Sequence, residues 1–225
     1  MSYKVHIPSF ITVRSASTRL PAKCFLPFGE ATVLEHIVKR AFHFELFPII
    51  CTTQSEEDDR IVKLAEKLGI PYYRGPTENK LLRWAGCCKQ FGIEAFHSLD
   101  ADDPFFCGEE VNRSFNLLKT GFDMVSPSPS SANGGATVGY SLTADIVLKS
   151  CEGLDEDADT EMMWSFIERV PGLQKTSLAD PEDDVVCARM TLDYEEDYIL
   201  LEAVRLILGN MASRGDIAAL FKDNP

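Results

Sequence analysis

The sequence predicts an α/β fold in which helices flank a mostly parallel β-sheet. Short stretches of β-branched and apolar residues alternate with stretches whose apolar residues recur at helical spacing, and this alternation is typical of βαβ units. The chain has 225 residues, 45% of them hydrophobic, so it can bury a full core. At this length one domain is commoner than two, and we expect a single domain over residues 1–225.

The elements are predicted from local patterns in chain order. Apolar residues recur at helical spacing from Val33 to Ala41, and Ser55 followed by Asp58 has the capping-box pattern of a helix that stops at Gly69. Further helices are predicted at 77–91, 161–169 and 195–208, the first helix at 30–44, and strands at 5–13, 47–53, 71–74, 94–99, 136–142 and 185–192. Residues 126–135 are rich in Ser, Pro, Asn and Gly and are predicted to form a loop that shapes substrate access.

Composition and charge limit the partners and the location. A formal net charge of −13 would repel a polyanion, and no Lys/Arg cluster offsets it, so no nucleic acid is expected as a partner. The longest apolar runs, such as residues 46–51, fall far short of the roughly 20 residues of a membrane span. No signal peptide is recognised, so a cytoplasmic location is expected. Seven cysteines without a C-x-x-C pair predict reduced thiols rather than disulfides or a zinc site.

The segment from Arg14 to Lys23 is the first that indicates chemistry. It follows the first predicted strand, where open α/β sheets place their ligand crevice. Its three cations, Arg14, Arg19 and Lys23, alternate with small hydroxyl residues, and such a loop can cradle a triphosphate with its backbone amides and positive charges. A solvated surface loop would have the same composition, and the P-loop pattern is absent, so composition alone leaves both interpretations open.

Acidic residues follow two of the predicted strands. Asp100, Asp102 and Asp103 come directly after the strand at 94–99, and carboxylates this close repel one another unless a cation such as Mg²⁺ neutralises them. Asp100 and Asp102 lie on one side of an extended chain, so Asp103 is expected to point away. A polar turn with a helix cap is the alternative. Asp193 by itself fits a helix N-cap better than a metal ligand.

Together these segments resemble the cytidylyltransferases of sugar-acid activation. That family includes the CMP-Kdo, CMP-sialic, CMP-pseudaminic and CMP-legionaminic acid synthetases and the SpsF-like proteins of spore coat polysaccharide biosynthesis. The matching segments are residues 14–23 (family pattern R-x-x-S-T-R-L-P-G-K), 73–75 followed by 81–83, 101–104 (G-D-x-P) and 192–197 (L-D-T-P-E-D). The resemblance spans nearly the whole chain and is closest to the SpsF-like members.

The resemblance implies a Rossmann-like nucleotidyltransferase fold of the GT-A-like type and a reaction. A sugar hydroxyl would attack the α-phosphate of CTP and release pyrophosphate, with Mg²⁺ as the cofactor. The acceptor would be a small sugar acid, nonulosonic or Kdo-like, used for a surface polysaccharide. The resemblance leaves the oligomeric state open, with a homodimer as one possibility.

The resemblance also assigns roles to residues. Three cations would contact the triphosphate: Arg14, Arg19 and Lys23. Two aspartates would ligate the metal: Asp102 and Asp193. Five further residues would contribute to nucleotide binding: Ser15, Ala16 and Ser17 through the loop, Arg74 near the nucleotide, and Asp100 beside the metal.

The sequence departs from the family pattern at four positions, one of them Asp100, which adds an unusual carboxylate beside the metal. Ala22 and Ala101 stand where the family has Gly, and a positive φ at position 22 would be unfavourable for Ala. Gly139 stands where SpsF-like sequences often carry an acidic residue, within a region (residues 126–139) that is expected to form the acceptor pocket with residues 159–164. Two alternatives therefore stay open, nucleotidyl transfer to a sugar 1-phosphate or phosphonate, and nucleotide binding by a partner protein without turnover.

Overall fold

The computed structural model describes residues 6–17, 19–134, 138–181, 186 and 188–224. Its strands are β1 (Ile7–Thr12), β2 (Pro27–Phe28), β3 (Ala31–Thr32), β4 (Leu46–Thr53), β5 (Tyr72–Gly75), β6 (Ala95–Asp100), β7 (Met124–Ser126), β8 (Ser141–Thr143) and β9 (Lys175–Ser177).

Seven of these strands form one sheet in the order β5-β4-β1-β6-β8-β7-β9, while β2 and β3 pair as a small antiparallel hairpin. β1 lies parallel to both β4 and β6, and β4 lies parallel to β5. Within this sheet as described, β8 is the strand that runs against its neighbours. The predicted mostly parallel α/β sheet is thus confirmed. The order of connections reverses between β1 and β6, which is the point where open α/β sheets bind ligands.

Helices cover both faces of the sheet. They are α1 (Val33–His43), α2 (Asp59–Leu68), α3 (Lys80–Phe91), α4 (Gly108–Leu118), α5 (Pro129–Ala132), α6 (Ala144–Ser150), α7 (Trp164–Ile167), α8 (Glu195–Leu208) and α9 (Arg214–Asp223). α1 begins at a capping box, in which Thr32 and Glu35 each accept a hydrogen bond from the other's backbone N–H. No helix in the described part of the chain has the length and apolar character needed to cross a membrane.

Two apolar clusters pack on opposite faces of the sheet. Neighbouring residues of β1 point to opposite sides, so Ile11 belongs to the cluster that contains residues of α1, α4 and α8, while Phe10 belongs to the cluster that contains residues of α3 and α6. Phe10 stacks on Phe96 of β6 with ring centroids 4.0 Å apart, and Trp84 of α3 packs edge-on against Phe96. The central strands are therefore covered on both faces, as parallel sheets require.

Agreement with the sequence prediction is good up to residue 100. The elements β1, α1, β4, α2, β5, α3 and β6 all form close to their predicted positions. One detail is wrong: Asp58 does not complete a capping box with Ser55, because its carboxylate accepts hydrogen bonds from Ser15 and Thr53 instead.

Agreement is poorer beyond residue 100. The strand predicted at 136–142 is replaced by the short β8, with residues 135–137 outside the described part, and the helix predicted at 161–169 is one turn, α7. The strand predicted at 185–192 does not form among its described residues. The N–H of Met190 bonds to the carbonyl of Gly134 and the N–H of Leu192 to that of Asp102, so the segment pairs with two different neighbours rather than with one strand. The predicted loop at 126–135 contains the single turn α5.

A buried histidine should make the protein less stable in acid. His97 is fully buried, and its Nδ1 lies 2.8 Å from the hydroxyl of Ser141 while its Nε2 has no partner among the described residues. Burial lowers the pKa of His97 from 6.5 to about 3, so between these values the unfolded chain binds a proton that the folded protein excludes. The free energy of unfolding should therefore fall as pH drops below 6.5, at up to about 1.4 kcal/mol per pH unit.

Denaturant titrations of His97→Gln between pH 8 and pH 4 would test this. We expect a shallower loss of stability in acid than in the unaltered protein, and a constant difference between the two above pH 7.5. Some slope should remain, because burial also lowers the pKa of His36, to about 4. Identical slopes in the two proteins would contradict the assignment.

Candidate active site

A cleft of about 750 Å³ opens at the carboxyl ends of β1 and β6, where the strand order reverses. Residues of the loop after β1, of the turn after β6 and of the segments 127–134 and 138–140 line it, together with Arg83, Glu161, Trp164, Arg189 and Thr191. Seven of the sequence-predicted site residues line this cleft: Arg14, Ala16, Ser17, Arg19, Lys23, Asp100 and Asp102.

The ammonium group of Lys23 joins the two predicted metal-ligand aspartates. Its Nζ lies 2.6 Å from Oδ2 of Asp102 and 3.0 Å from Oδ1 of Asp193, and it donates to the carbonyl of Leu192 at 2.8 Å. The backbone also connects these segments, because the N–H of Leu192 donates to the carbonyl of Asp102 at 2.7 Å. Carboxylates from two distant parts of the chain thus meet around one positive charge.

Asp193 is surrounded by more positive charge than Lys23 alone supplies. Arg19 lies 2.7 Å from its Oδ1, and Arg189 donates to its Oδ2. Burial alone would raise the pKa of Asp193, but the hydrogen bond and charge of Lys23 and the charges of the two arginines outweigh burial and lower it. Asp193 therefore stays ionised. Arg189 is not predicted from the sequence, because it lies outside the family patterns.

The turn after β6 holds its aspartates in a dense cluster. Burial raises the pKa of Asp102, Lys23 partly counteracts this, and neighbouring Asp100 adds to the rise. The prediction that Asp103 points away from the other two is wrong, because the chain turns after Asp100 and Asp103 lines the same cleft. Burial and the charges of Asp102 and Asp100 raise the pKa of Asp103 well above its usual range.

Asp100 pairs with Lys80, a residue that is not predicted from the sequence. Lys80, at the start of α3, has a side chain only 7% exposed, and its Nζ lies 3.0 Å from Asp100 and 3.7 Å from Glu161. Burial alone would lower the pKa of Lys80, but Asp100 and Glu161 raise it, so this ammonium is a fixed positive charge beside the cleft. Arg14 faces Glu78 and Glu161 at 3.7 and 4.0 Å.

Two predicted nucleotide contacts lie elsewhere. The N–H of Ser15 donates to the carboxylate of Asp58 at 2.8 Å, so this amide is already bonded within the protein. Arg74 pairs with Asp59 at 2.7 Å and donates to the carbonyls of Thr53 and Ser55. Neither residue lines the cleft. Ser15 and Arg74 instead stabilise the loop after β1 and the end of β5, outside the cleft.

The departures from the family pattern have different structural consequences. Ala22 has φ 53° and ψ 30°, in the left-handed region where Gly is favoured, so it keeps the loop shape at a cost in strain. Ala101 is not among the described residues of positive φ, so Ala is accommodated there without backbone strain. A Cβ added to Gly139 would lie 2.1 Å from the carbonyl oxygen of Ser98, which excludes any side chain at that position.

The two aspartates fit a divalent metal that also binds phosphate. In the free protein the ammonium group of Lys23 pairs with both Asp102 and Asp193 and supplies positive charge that a bound metal ion would otherwise supply. The described residues contain no group of three or more His, Cys, Asp or Glu side chains arranged around one point. Mg²⁺ is commonly held by one or two carboxylates together with substrate phosphates and water, and this donor set supplies two oxygen ligands of that kind.

The sheet order and the cleft at its switch point define a Rossmann-like nucleotidyltransferase. The fold is shared with the solved structure of CMP:2-keto-3-deoxy-manno-octonic acid synthetase complexed with CTP, at a TM-score of 0.66 and 12% identity over 90% of this chain and 99% of that one. It is also shared with a cytidylyltransferase from Leptospira borgpetersenii, at a TM-score of 0.83 and 22% identity over 97% of this chain and 94% of that one.

The sequence match makes the class specific. Residues 9–147 match the model of the cytidylyltransferase family, and the chain belongs to that family. It is 25% identical over 222 residues to the spore coat polysaccharide biosynthesis protein SpsF of Bacillus subtilis, covering 93% of this chain and 89% of SpsF. The SpsF-like resemblance of the sequence motifs is thereby confirmed.

Replacing Ala22 by Gly should stabilise the protein. A left-handed conformation costs Ala roughly 1–2 kcal/mol, and the greater freedom of Gly in the unfolded chain offsets part of the gain, so Ala22→Gly should raise the free energy of unfolding by up to about 1 kcal/mol. The matched control is Ala16→Gly in the same loop, at a residue without positive φ, where a loss of about 0.4–1 kcal/mol is expected. Thermal or denaturant unfolding measures both. A loss of stability in Ala22→Gly would show that this backbone conformation is not strained.

Proposed function

We propose that this cytidylyltransferase transfers CMP from CTP to a sugar acid of the nonulosonic or Kdo-like type, with Mg²⁺, and that the product serves surface polysaccharide synthesis. The observation that carries the proposal is the meeting of Lys23, Asp102 and Asp193 at the switch point of the sheet. The polysaccharide role is supported by the relative SpsF, a spore coat polysaccharide biosynthesis protein, and the acceptor class by the structural neighbour that is an octonic acid synthetase complexed with CTP.

The proposed step is an in-line substitution at phosphorus. The acceptor hydroxyl oxygen forms a bond to the α-phosphorus of CTP, the bond from that phosphorus to the pyrophosphate oxygen breaks, and the hydroxyl proton passes to solvent. The side chains contribute position and charge rather than covalent chemistry. Arg14, Arg19 and Lys23 would hold the triphosphate and stabilise the negative charge that develops on the leaving pyrophosphate.

The metal would be held by Asp102 and Asp193. When bound, Mg²⁺ supplies positive charge that stabilises the phosphate oxygens during the substitution. Lys23 contacts both carboxylates, so a metal ion bound to them would release its ammonium group to the triphosphate. Ala16 and Ser17 also line the cleft and would supply loop contacts.

The other wall of the cleft would bind the acceptor. Tyr140 and Trp164 both line it, with near-parallel rings whose centroids are 6.2 Å apart, and they offer a flat apolar surface beside polar groups, as small-molecule sites commonly do. Asp100 and Glu161 would repel an acidic acceptor, but Lys80 pairs with both of them. Arg14, 4.0 Å from Glu161, adds a second cation, so Lys80 and Arg14 together offset part of the repulsion that an acidic acceptor would meet here.

Neither alternative is favoured by the geometry. A sugar 1-phosphate or phosphonate acceptor would use the same triphosphate-binding residues, and the experiment below separates it from a sugar acid. Nucleotide binding without turnover was suggested by the two alanines. Ala101 carries no positive φ, and Ala22 keeps the left-handed conformation, so neither position supplies a reason for inactivity.

Pyrophosphate release is the primary test. Purified protein with Mg²⁺ should release pyrophosphate from CTP, in preference to UTP, ATP and GTP, in the presence of one member of a panel of sugar acids. Release only with a sugar 1-phosphate or a phosphonate would replace the acceptor class. CTP binding without release for every acceptor in the panel would support the non-catalytic alternative.

The metal site has its own test. Asp102→Asn and Asp193→Asn remove one charged oxygen ligand each with little change in shape, so both should lose metal-dependent turnover while they unfold at temperatures close to that of the unaltered protein. Turnover assays across a Mg²⁺ titration would measure this. Normal activity in either variant would remove that residue from the metal site.

Lys23 should contribute directly to nucleotide affinity. Charge-assisted hydrogen bonds contribute roughly 1.5–3 kcal/mol, so Lys23→Met should weaken CTP binding by about ten- to hundredfold in isothermal titration calorimetry. The matched control is Lys67→Met on α2, an exposed lysine that pairs with Glu35 away from the cleft. Equal CTP affinity in the two variants would exclude Lys23 from the triphosphate site.

A further inference from the structure

Arg189 lies at the cleft, and the family patterns assign it no role. It lines the cleft wall in the segment before Asp193. One side of its guanidinium group donates to Oδ2 of Asp193 and the other lies 3.0 Å from Oδ2 of Asp197. The side chain is 43% exposed, so solvent and ligands can reach it.

Neither of its partners requires Arg189. Asp197 already accepts hydrogen bonds from the backbone N–H groups of Asp193 and Tyr194, at 2.8 and 2.9 Å, and so caps the start of α8. Asp193 is already paired with Arg19 and Lys23. Asp193 therefore keeps two cationic partners when Arg189 is absent.

The charges of this cluster balance in the free protein. Three cations (Arg19, Lys23 and Arg189) lie among three carboxylates (Asp102, Asp193 and Asp197). A divalent cation added to a balanced cluster must compete with the cations already bound to its ligands. A triphosphate added at the same time gives those displaced cations a new anionic partner.

We infer that Arg189 is a further cation of the triphosphate site, held on Asp193 in the free protein and transferred to the phosphates when a metal ion takes that carboxylate. This inference rests on the proposed function, since it needs a triphosphate at the cleft. Arginine suits the role because its planar group binds phosphate oxygens in pairs, as it binds carboxylate oxygens.

The exchange has a signature that a purely structural role lacks. If Arg189 competes with the metal for Asp193, its removal should strengthen the binding of a metal ion alone and weaken the binding of the nucleotide with its metal. If Arg189 only positions Asp193 as a ligand, its removal should weaken both. The two explanations therefore predict opposite changes in metal affinity.

The experiment compares Arg189→Met and Arg189→Lys with the unaltered full-length chain. Arg169→Met is the matched control, because it makes the same change in net charge at an exposed arginine that does not line the cleft. Mn²⁺ binding without nucleotide is measured by electron paramagnetic resonance, and CTP binding with Mg²⁺ by calorimetry. Arg189→Met should bind Mn²⁺ more tightly and CTP about ten- to hundredfold more weakly, with Arg189→Lys intermediate for CTP.

Three results would count against the inference. Equal CTP affinity in Arg189→Met and Arg169→Met would exclude a phosphate contact. Weaker Mn²⁺ binding in Arg189→Met would show that Arg189 only positions Asp193. If Arg189→Met does not fold, Arg189→Lys carries the test, and unchanged affinities for both ligands in that variant would overturn the exchange. Failure of the unaltered protein to bind CTP would instead refute the proposed function, whatever the variants do.

Discussion

The site depends on one contact between segments that are far apart in sequence. The N–H of Leu192 donates to the carbonyl of Asp102, and Lys23 lies across this junction, 79 residues from Asp102 and 170 residues from Asp193 in the chain. The junction brings the loop after β1, the turn after β6 and the segment before α8 to one point. Without it, Asp193 would be an ordinary residue ahead of a helix.

Helix α1 supports this junction from behind. Its buried His36 binds the carbonyl of Pro104 at 2.8 Å and its buried Arg40 binds the carbonyl of Phe106 at 2.8 Å, so one helix face holds the turn that carries Asp102. Burial lowers the pKa of His36 to about 4, and the neutral ring therefore donates its N–H to this carbonyl. The same helix follows the cation-rich loop in sequence. α1 thus anchors the turn that carries Asp102.

The electrostatics of the cleft differ from those of the molecule as a whole. The chain has a net charge of −13, which opposes the binding of a polyanion, yet the cleft collects arginine and lysine side chains from several segments. In the free protein Arg14, Arg19, Lys23 and Arg189 are paired with carboxylates, so they are held in position rather than left mobile in solvent. Ion pairs that a ligand can take over cost less reorganisation than charges ordered only on binding.

The sequence alone determined the α/β class, the elements up to β6 apart from the β2-β3 hairpin, and the motifs that lie next to each other in the chain. These features follow from local patterns: apolar spacing, helix caps, and the cations and carboxylates placed directly after strands. The tertiary structure decided which motifs share a site. It brought Asp193 to Asp102, added Lys80 and Arg189, and bonded Ser15 and Arg74 to other partners outside the cleft. The segment 188–192 shows why these contacts could not be predicted from the sequence. Its backbone hydrogen bonds go to two separate neighbours, and no local sequence pattern encodes contacts over such separations in the chain.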